Sequence, residues 1–249
     1  MTEIIAVTAN TVDRLGFFCK MSARKTPAWK AKRDWLMARF AEGLQLRLLG
    51  SGERGFIEFM PGDKAWRAVE GAGGFVVIHC LWVVGKSKGK GHASALLTGA
   101  ETWARDQGYH GVAAVTSTGN WLIAPGVLEH HGYEAVETVP PGFGLMLKRF
   151  SNAPATPRLS GDWDAKAAAC GPGLTVLRSA QCPYLEDAAR HAKNAADKLG
   201  LAFTDRLIET AADLRRLAPT PYGTYAIVHD GRLVSYHYLL EKQIITALA

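Results

Sequence analysis

The chain has 249 residues, a formal net charge of +6 at pH 7, 48% hydrophobic and 21% charged residues, and seven tryptophans. That composition excludes a disordered or fibrous protein, and the length suits two modest domains. No run of roughly 18 apolar residues occurs, and MTEIIAVTANTVDR lacks the layout of a signal peptide, so a cytoplasmic protein without a membrane partner is expected. Four cysteines, Cys19, Cys80, Cys170 and Cys182, are scattered without a CxxC pair, and His130-His131 is the only adjacent histidine pair. Neighbouring residues on a helix point to different faces, so no metal site is expected.

In chain order, Ala28 to Leu44 (AWKAKRDWLMARFAEGL) reads as an amphipathic helix with Trp29, Trp35, Leu36, Phe40 and Leu44 as its apolar members. A strand, FIEFM, follows Gly55 and ends at Pro61-Gly62. FVVIHCLWVV is a long β-prone run, too apolar for a sheet edge. After it, Ala93, Leu96, Leu97, Ala100 and Ala104 form the stripe of a helix packed on a sheet, closed by Gly108. GVAAVTS (Gly111 to Ser117) is a second buried strand, and a helical or partly irregular segment follows from Trp121 to His131, interrupted by Pro125-Gly126. Gly132-Tyr133 opens another extended segment. The first 150 residues thus read β-α-β-β-α-β-α-β.

Composition then shifts. Residues 151–165 contain Pro, Ser and Asn without apolar period, and read as a linker between a domain at 1–150 and another at 166–249. The second begins with the strand LTVLRS. A helix follows with Ala188, Ala189, Ala192, Ala195, Ala196 and Leu199 on one face, stopped by Gly200. LAFTDRLI is a second strand, Thr210 to Asp213 a helix cap, and TYAIVHDGRLVSYHYL a hairpin turning at Asp230-Gly231. A small layered α/β domain is the expectation.

The stretch from Gly85 to Gly91 (GKSKGKG) holds three lysines and three glycines directly before the helical stripe. Glycine allows close backbone approach, and a helix N-terminus attracts anions, so a phosphate group is the ligand to test. A net positive charge alone would also suit nucleic acid, but the loop spacing is more specific. The P-loop spacing fails, because Lys90 and Gly91 stand in reversed order and no Ser or Thr follows the lysine. The dinucleotide fingerprint finds Gly89 and Gly91 but Ser94 in its third place. Lys88-Gly-Lys-Gly91-His-Ala93 resembles instead the [QR]-x-x-G-x-[GA] pyrophosphate loop of the GNAT family of N-acetyltransferases, with lysine in the first place. LWVVGKSKGKGHASALL is similar to that family's strand, loop and helix, and GNWLIAPGVLEHHGYEAV to its closing segment. The resemblance covers roughly residues 1 to 150.

This resemblance implies a mixed sheet flanked by helices, with acetyl-CoA as cofactor. It implies that backbone amides of Lys88, Gly89, Lys90, Gly91, His92 and Ala93 hold the pyrophosphate, with a helix dipole behind them. It also implies that Leu81, Trp82 and Val83 carry the pantetheine arm, and that Asn120 stands where the family has an asparagine. The acceptor would be a small-molecule amine, without nucleic acid.

Acetyl transfer needs a neutral amine and a route for its proton. Strand alternation sets Val77, His79, Leu81 and Val83 on one face. His79 is a base candidate by its near-neutral titration, or a buried histidine bonded to a carbonyl. Glu58, amid the apolar FIEFM, is the second, or simply an outward strand residue. Cys80 is either an acyl carrier or a small hydrophobe. Many family members have a tyrosine acid four residues before the closing glycine; here Leu128 stands there, with Tyr133 or a water as substitutes.

In the second domain, QCPY resembles the CPYC site of glutaredoxins with Leu185 in place of the second cysteine. Thr220-Pro221 resembles the cis-proline of thioredoxin folds. Cys182 at a helix start would be a reactive monothiol, a third catalytic candidate, or the domain would serve for docking or packing. The pair of domains resembles YoaP-type bacterial acetyltransferases. The expectation is direct acetyl transfer to a small amine; the alternatives are Cys182-assisted acyl transfer to a thiol-containing metabolite and a non-catalytic coenzyme A sensor.

Overall fold

The computed structural model describes residues 2–152 and 155–248, in which the chain divides into two units. The first comprises Met1–Met21, Leu36–Ala65 and Val69–Leu159; the second comprises Ser22–Trp35, Trp66–Ala68 and Ser160–Ala249. The break at Leu159 falls inside the stretch expected as a linker. That stretch also holds a short strand and the start of a helix, while its Ala153 and Pro154 lie outside the described residues.

The first unit carries β1 (Ile4–Val7), α1 (Val12–Leu15), the end of α2 (Pro27–Phe40), β2 (Gln45–Leu49), β3 (Gly55–Pro61), β4 (Val69–Glu70) and β5 (Val76–Val83). There follow α3 (His92–Asp106), β6 (Gly111–Ser117), α4 (Pro125–Glu129), β7 (Glu134–Val139), β8 (Phe143–Arg149) and β9 (Arg158–Leu159). Seven strands form one sheet in the order β1-β2-β3-β5-β6-β8-β7. Only the β5–β6 pair is parallel, so the sheet is mixed, as expected.

The α3 stripe packs where its period places it. Leu96, Leu97, Ala100 and Ala104 are buried against Ile57, Phe59, Val76, Ile78, Val112 and Ala114. Truncating Leu97, which is wholly buried, would cost about 2–5 kcal/mol through lost transfer energy and an unfilled cavity. Sequence reading passed over β2 and β8: QLRLL follows closely on a helical pattern, and FGLMLKR hides behind Pro140-Pro141-Gly142. The segment expected as helical or partly irregular from Trp121 is helical over the five residues of α4; Trp121 takes a left-handed φ of 75°, and Pro125 opens the helix rather than interrupting one.

The second unit holds α5 (Trp163–Ala168), β10 (Leu174–Ser179), α6 (Leu185–Leu199), β11 (Phe203–Ile208), α7 (Ala211–Leu217), β12 (Tyr225–His229), β13 (Arg232–Ser235) and α8 (Glu241–Leu248). Its sheet runs β11-β10-β12-β13, with β10–β11 parallel and the other pairs antiparallel. The alanine face of α6 is buried as expected, except that Leu199 is exposed beside the left-handed Gly200 that ends the helix. Thr210 caps α7 by accepting from the Asp213 amide at 3.0 Å. Asp230 and Gly231 both have positive φ (47° and 73°), the requirement of a tight primed hairpin turn. The short segments from the front of the chain join this unit by non-local contacts: the Trp35 and Trp66 rings meet edge-on at 5.4 Å, and Arg67 donates to Thr224 Oγ1 at 2.7 Å.

Candidate active site

The site starts from a parting of strands. β5 pairs with β6 only at Val76, Val77 and Ile78, although β5 continues to Val83 and β6 to Ser117. Beyond Ile78 the register between the two parallel strands ends and they separate into a wedge. On its other side β5 is paired with β3 from Val76 to Val83 except at His79. The candidates Leu81, Trp82 and Val83 form the β5 edge of this wedge. Asn120 is exposed three residues beyond β6, in a turn where the Gly119 amide donates to Ser117 Oγ at 3.0 Å.

The parting coincides with a β-bulge. Cys80 lies opposite Glu58 and Ile78 opposite Phe59, so His79 is the extra residue. A bulge resets strand alternation. Leu81 and Val83 therefore pack with Ile78 on the α3 side, while Cys80 shares the opposite face with Glu58. The expected common face for Val77, His79, Leu81 and Val83 is corrected accordingly: simple alternation holds only where both strands advance residue for residue.

The bulge brings together the two proton-handling candidates. His79 Nδ1 lies 3.1 Å from Glu58 Oε1, and both residues are buried. With Glu58 ionised, Nδ1–H is the donor, which leaves Nε2 as the basic nitrogen. Glu58 is therefore not the outward member of its strand. Cys80 is half-buried beside them.

From Val84 the chain makes a single 3-10 turn (Gly85–Ser87) and reaches α3 through Gly91. Gly85, Gly89 and Gly91 have φ of 60°, 75° and 75°, and a Cβ at any of them would meet open space. The need for glycine is therefore conformational, since L side chains strain at these angles. No side chain caps α3, and its first turn has no acidic residue. The leading amides of a helix lack intrahelical acceptors, so this end offers donors and a partial positive charge to an anion.

The lysines divide. Lys86 and Lys88 are exposed, while Lys90 Nζ donates to Glu53 Oε1 at 2.8 Å. The His92 ring also turns away from the helix end: Nε2 lies 3.4 Å from Glu53 Oε2 and Nδ1 3.2 Å from Thr2 Oγ1. His92 offers the loop only its backbone.

Leu128 is wholly buried in the α3 core and can hold no acid function. Tyr133 is buried in the same core, with its hydroxyl facing Glu101 and the Lys148 ammonium 5.7 Å from its ring. Burial and the Glu101 charge push that phenol well above its ordinary range, which makes it a poor proton donor. Beside it, Ser94 Oγ and His131 Nε2 are 3.0 Å apart, and burial pushes the imidazole below its ordinary value. Neither this pair nor Glu53 was found from the sequence, because each depends on contacts across about 37 residues or more.

Cys182 lies in the second unit, half-buried two residues before the Tyr184 cap position of α6. Thr224 Oγ1 donates to Gln181 Oε1 at 2.8 Å, and the buried Arg67 donates to Gln181 Oε1 at 2.9 Å and Thr224 Oγ1 at 2.7 Å. Its guanidinium also lies 5.1 Å from the Tyr222 ring. Thr220-Pro221 is a trans peptide, which corrects the expected cis-proline; among the described residues the cis bond is Pro140-Pro141. Also among the described residues, no group of three or more His, Cys, Asp or Glu is arranged to hold a metal ion, and no helix is long and apolar enough to cross a membrane.

Residues 21–133 match the model of the acetyltransferase (GNAT) family. The uncharacterized N-acetyltransferase YoaP of Bacillus subtilis (strain 168) is 26% identical over 238 residues, covering 94% of both chains. Among solved structures, a ribosomal-protein-alanine N-acetyltransferase from Brucella melitensis aligns at 20% identity and TM-score 0.45, over 59% of this chain and 99% of its own. A paia N-acetyltransferase from Thermoplasma acidophilum in complex with coenzyme A aligns at 13% identity and TM-score 0.43, over 60% and 99%. The stretch that matches the family model contains the β5 bulge, the glycine loop and α3.

Proposed function

We propose that this GNAT-type acyltransferase is an acetyl-CoA-dependent N-acetyltransferase that transfers its acetyl group directly to a small amine. The observation that carries the reading is the uncapped, acid-free N-terminus of α3 behind three left-handed glycines, at the mouth of the β5–β6 wedge. Such a helix end suits a pyrophosphate, and the exposed Lys86 and Lys88 add charge. The bound cofactor supplies an activated acetyl thioester.

The chain supplies the rest. The amides of Gly89 to Ala93 bind the pyrophosphate, the expected Lys88 amide being already donated to the Gly85 carbonyl at 3.2 Å, and the β5 edge from Leu81 to Val83 lines the pantetheine arm, with Asn120 across the wedge. Wedge-facing amides of β5 are placed to donate to a developing oxyanion. Glu58 fixes the tautomer and orientation of His79, whose Nε2 takes a proton from the attacking amine. With Leu128 and Tyr133 in the core, solvent water supplies the proton for the departing thiol.

For the second unit we propose a thioredoxin-like module with Cys182 at its helix start. The β-α-β-α-β-β order and the β11-β10-β12-β13 sheet support that reading, and the trans Thr220-Pro221 bond departs from it. A panel of amines and amino acids, scored by release of free thiol from acetyl-CoA, tests the catalytic reading. Turnover with at least one acceptor is expected, falling about 100-fold in kcat for His79→Ala. Failure of every acceptor despite normal cofactor binding would favour a coenzyme A sensor, and unchanged turnover in His79→Ala would remove that residue from the chemistry.

A further inference from the structure

Four contacts fasten the glycine loop to the turn between β2 and β3. The Val84 amide donates to the Arg54 carbonyl at 3.0 Å, and the Arg54 amide donates to Ser87 Oγ at 2.7 Å. Lys90 Nζ donates to Glu53 Oε1, and His92 Nε2 faces Glu53 Oε2. The contacts span the loop from its entry to the first residue of α3. Glu53 takes part in both later ones, and Ser87 is also hydrogen-bonded to its carboxylate. The turn is itself anchored: the Gly50 amide donates to the Glu3 carbonyl at 2.9 Å, and the Glu53 amide donates to the Gly50 carbonyl at 3.0 Å.

A carboxylate beside an anion-binding loop is unexpected on charge alone. It opposes the phosphate, and it occupies one of three lysines that would otherwise attract it. We propose that Glu53 is a positioning residue for the cofactor loop: it holds Ser87, Lys90 and His92 so that the amides from Gly89 onward face the pyrophosphate before the cofactor arrives. This rests on the coenzyme A reading above. Its consequence has a definite sign, because the gain from a preformed loop outweighs the repulsion from one carboxylate.

The Glu53 carboxylate itself keeps its charge near neutrality. Hydrogen bonds from Lys90 and then Ser87 pull the Glu53 carboxyl from its ordinary 4.5 down to about 2. A group depressed on folding contributes fully above its unfolded value and is lost as pH falls through its folded one. The Glu53 contribution is therefore constant above roughly pH 5 and fades only below it.

Calorimetric titration of the full chain with acetyl-CoA and, separately, with acetyl-pantetheine, which lacks the pyrophosphate, tests the proposal. Glu53→Ala is expected to weaken acetyl-CoA about tenfold while acetyl-pantetheine changes less than about twofold. Glu53→Gln keeps an acceptor for Ser87 without the charge, so an intermediate loss of about threefold is expected, and this variant carries the test if the alanine form melts early. Unchanged or tighter acetyl-CoA binding by both variants would overturn the positioning role, as would equal losses for both ligands. Absence of binding by the wild type would instead overturn the coenzyme A reading, and this inference with it.

Discussion

Two strand-to-helix junctions of this chain invite the same ligand and are built to opposite specifications. Each leads from a buried strand, β5 or β10, into a helix of 15 residues. Both helices lack a side-chain cap, although the Leu185 amide that opens α6 donates to the Cys182 carbonyl at 3.2 Å. The α3 junction has three left-handed glycines, three lysines and no acidic residue in the first helical turn. The α6 junction, from Ala180 to Tyr184, has no glycine, and Glu186 and Asp187 follow in the first turn. An α6 dipole already met by its own carboxylates has little left for an external anion; α3 keeps its dipole for a ligand.

The contrast can be broken by variants of decreasing effect. Gly91→Trp would place a ring in the open space at a φ of 75°, and a loss of about 100-fold or more in acetyl-CoA affinity is expected by calorimetry. Ala93→Glu would give α3 the acidic first turn that α6 has. Opposite responses are expected: a slightly higher melting temperature, since the added charge is worth about 0.3–1 kcal/mol to the helix, and weaker cofactor binding. A variant that gains stability without losing affinity would show that the anion does not sit at this helix end. The smallest effect is expected in Glu186→Gln with Asp187→Asn, where denaturant titration should show a loss of about 1 kcal/mol at most and acetyl-CoA affinity should stay unchanged.

Local patterns were readable in the sequence. The α3 stripe, the buried β6 and the glycine spacing each sit within a few residues, so period and turn chemistry reveal them. His79 and Glu58 could be named as candidates for the same reason. Their pairing could not: a single extra residue in β5 turns Leu81 and Val83 to the other face, and strand alternation carries no sign of it. Glu53 and Arg67 were missed because their partners are distant in the chain, Lys90 for one and Gln181 with Thr224 for the other. Ser22–Trp35 joins the second unit by contacts of the same non-local kind.

The most direct measurement of the central claim is a calorimetric comparison of acetyl-CoA with acetyl-pantetheine on the wild-type chain. If the loop from Lys88 to Ala93 holds the pyrophosphate, acetyl-CoA should bind at least about tenfold more tightly, with an advantage that shrinks as salt rises. Equal affinity for the two ligands, or no binding of acetyl-CoA, would contradict it.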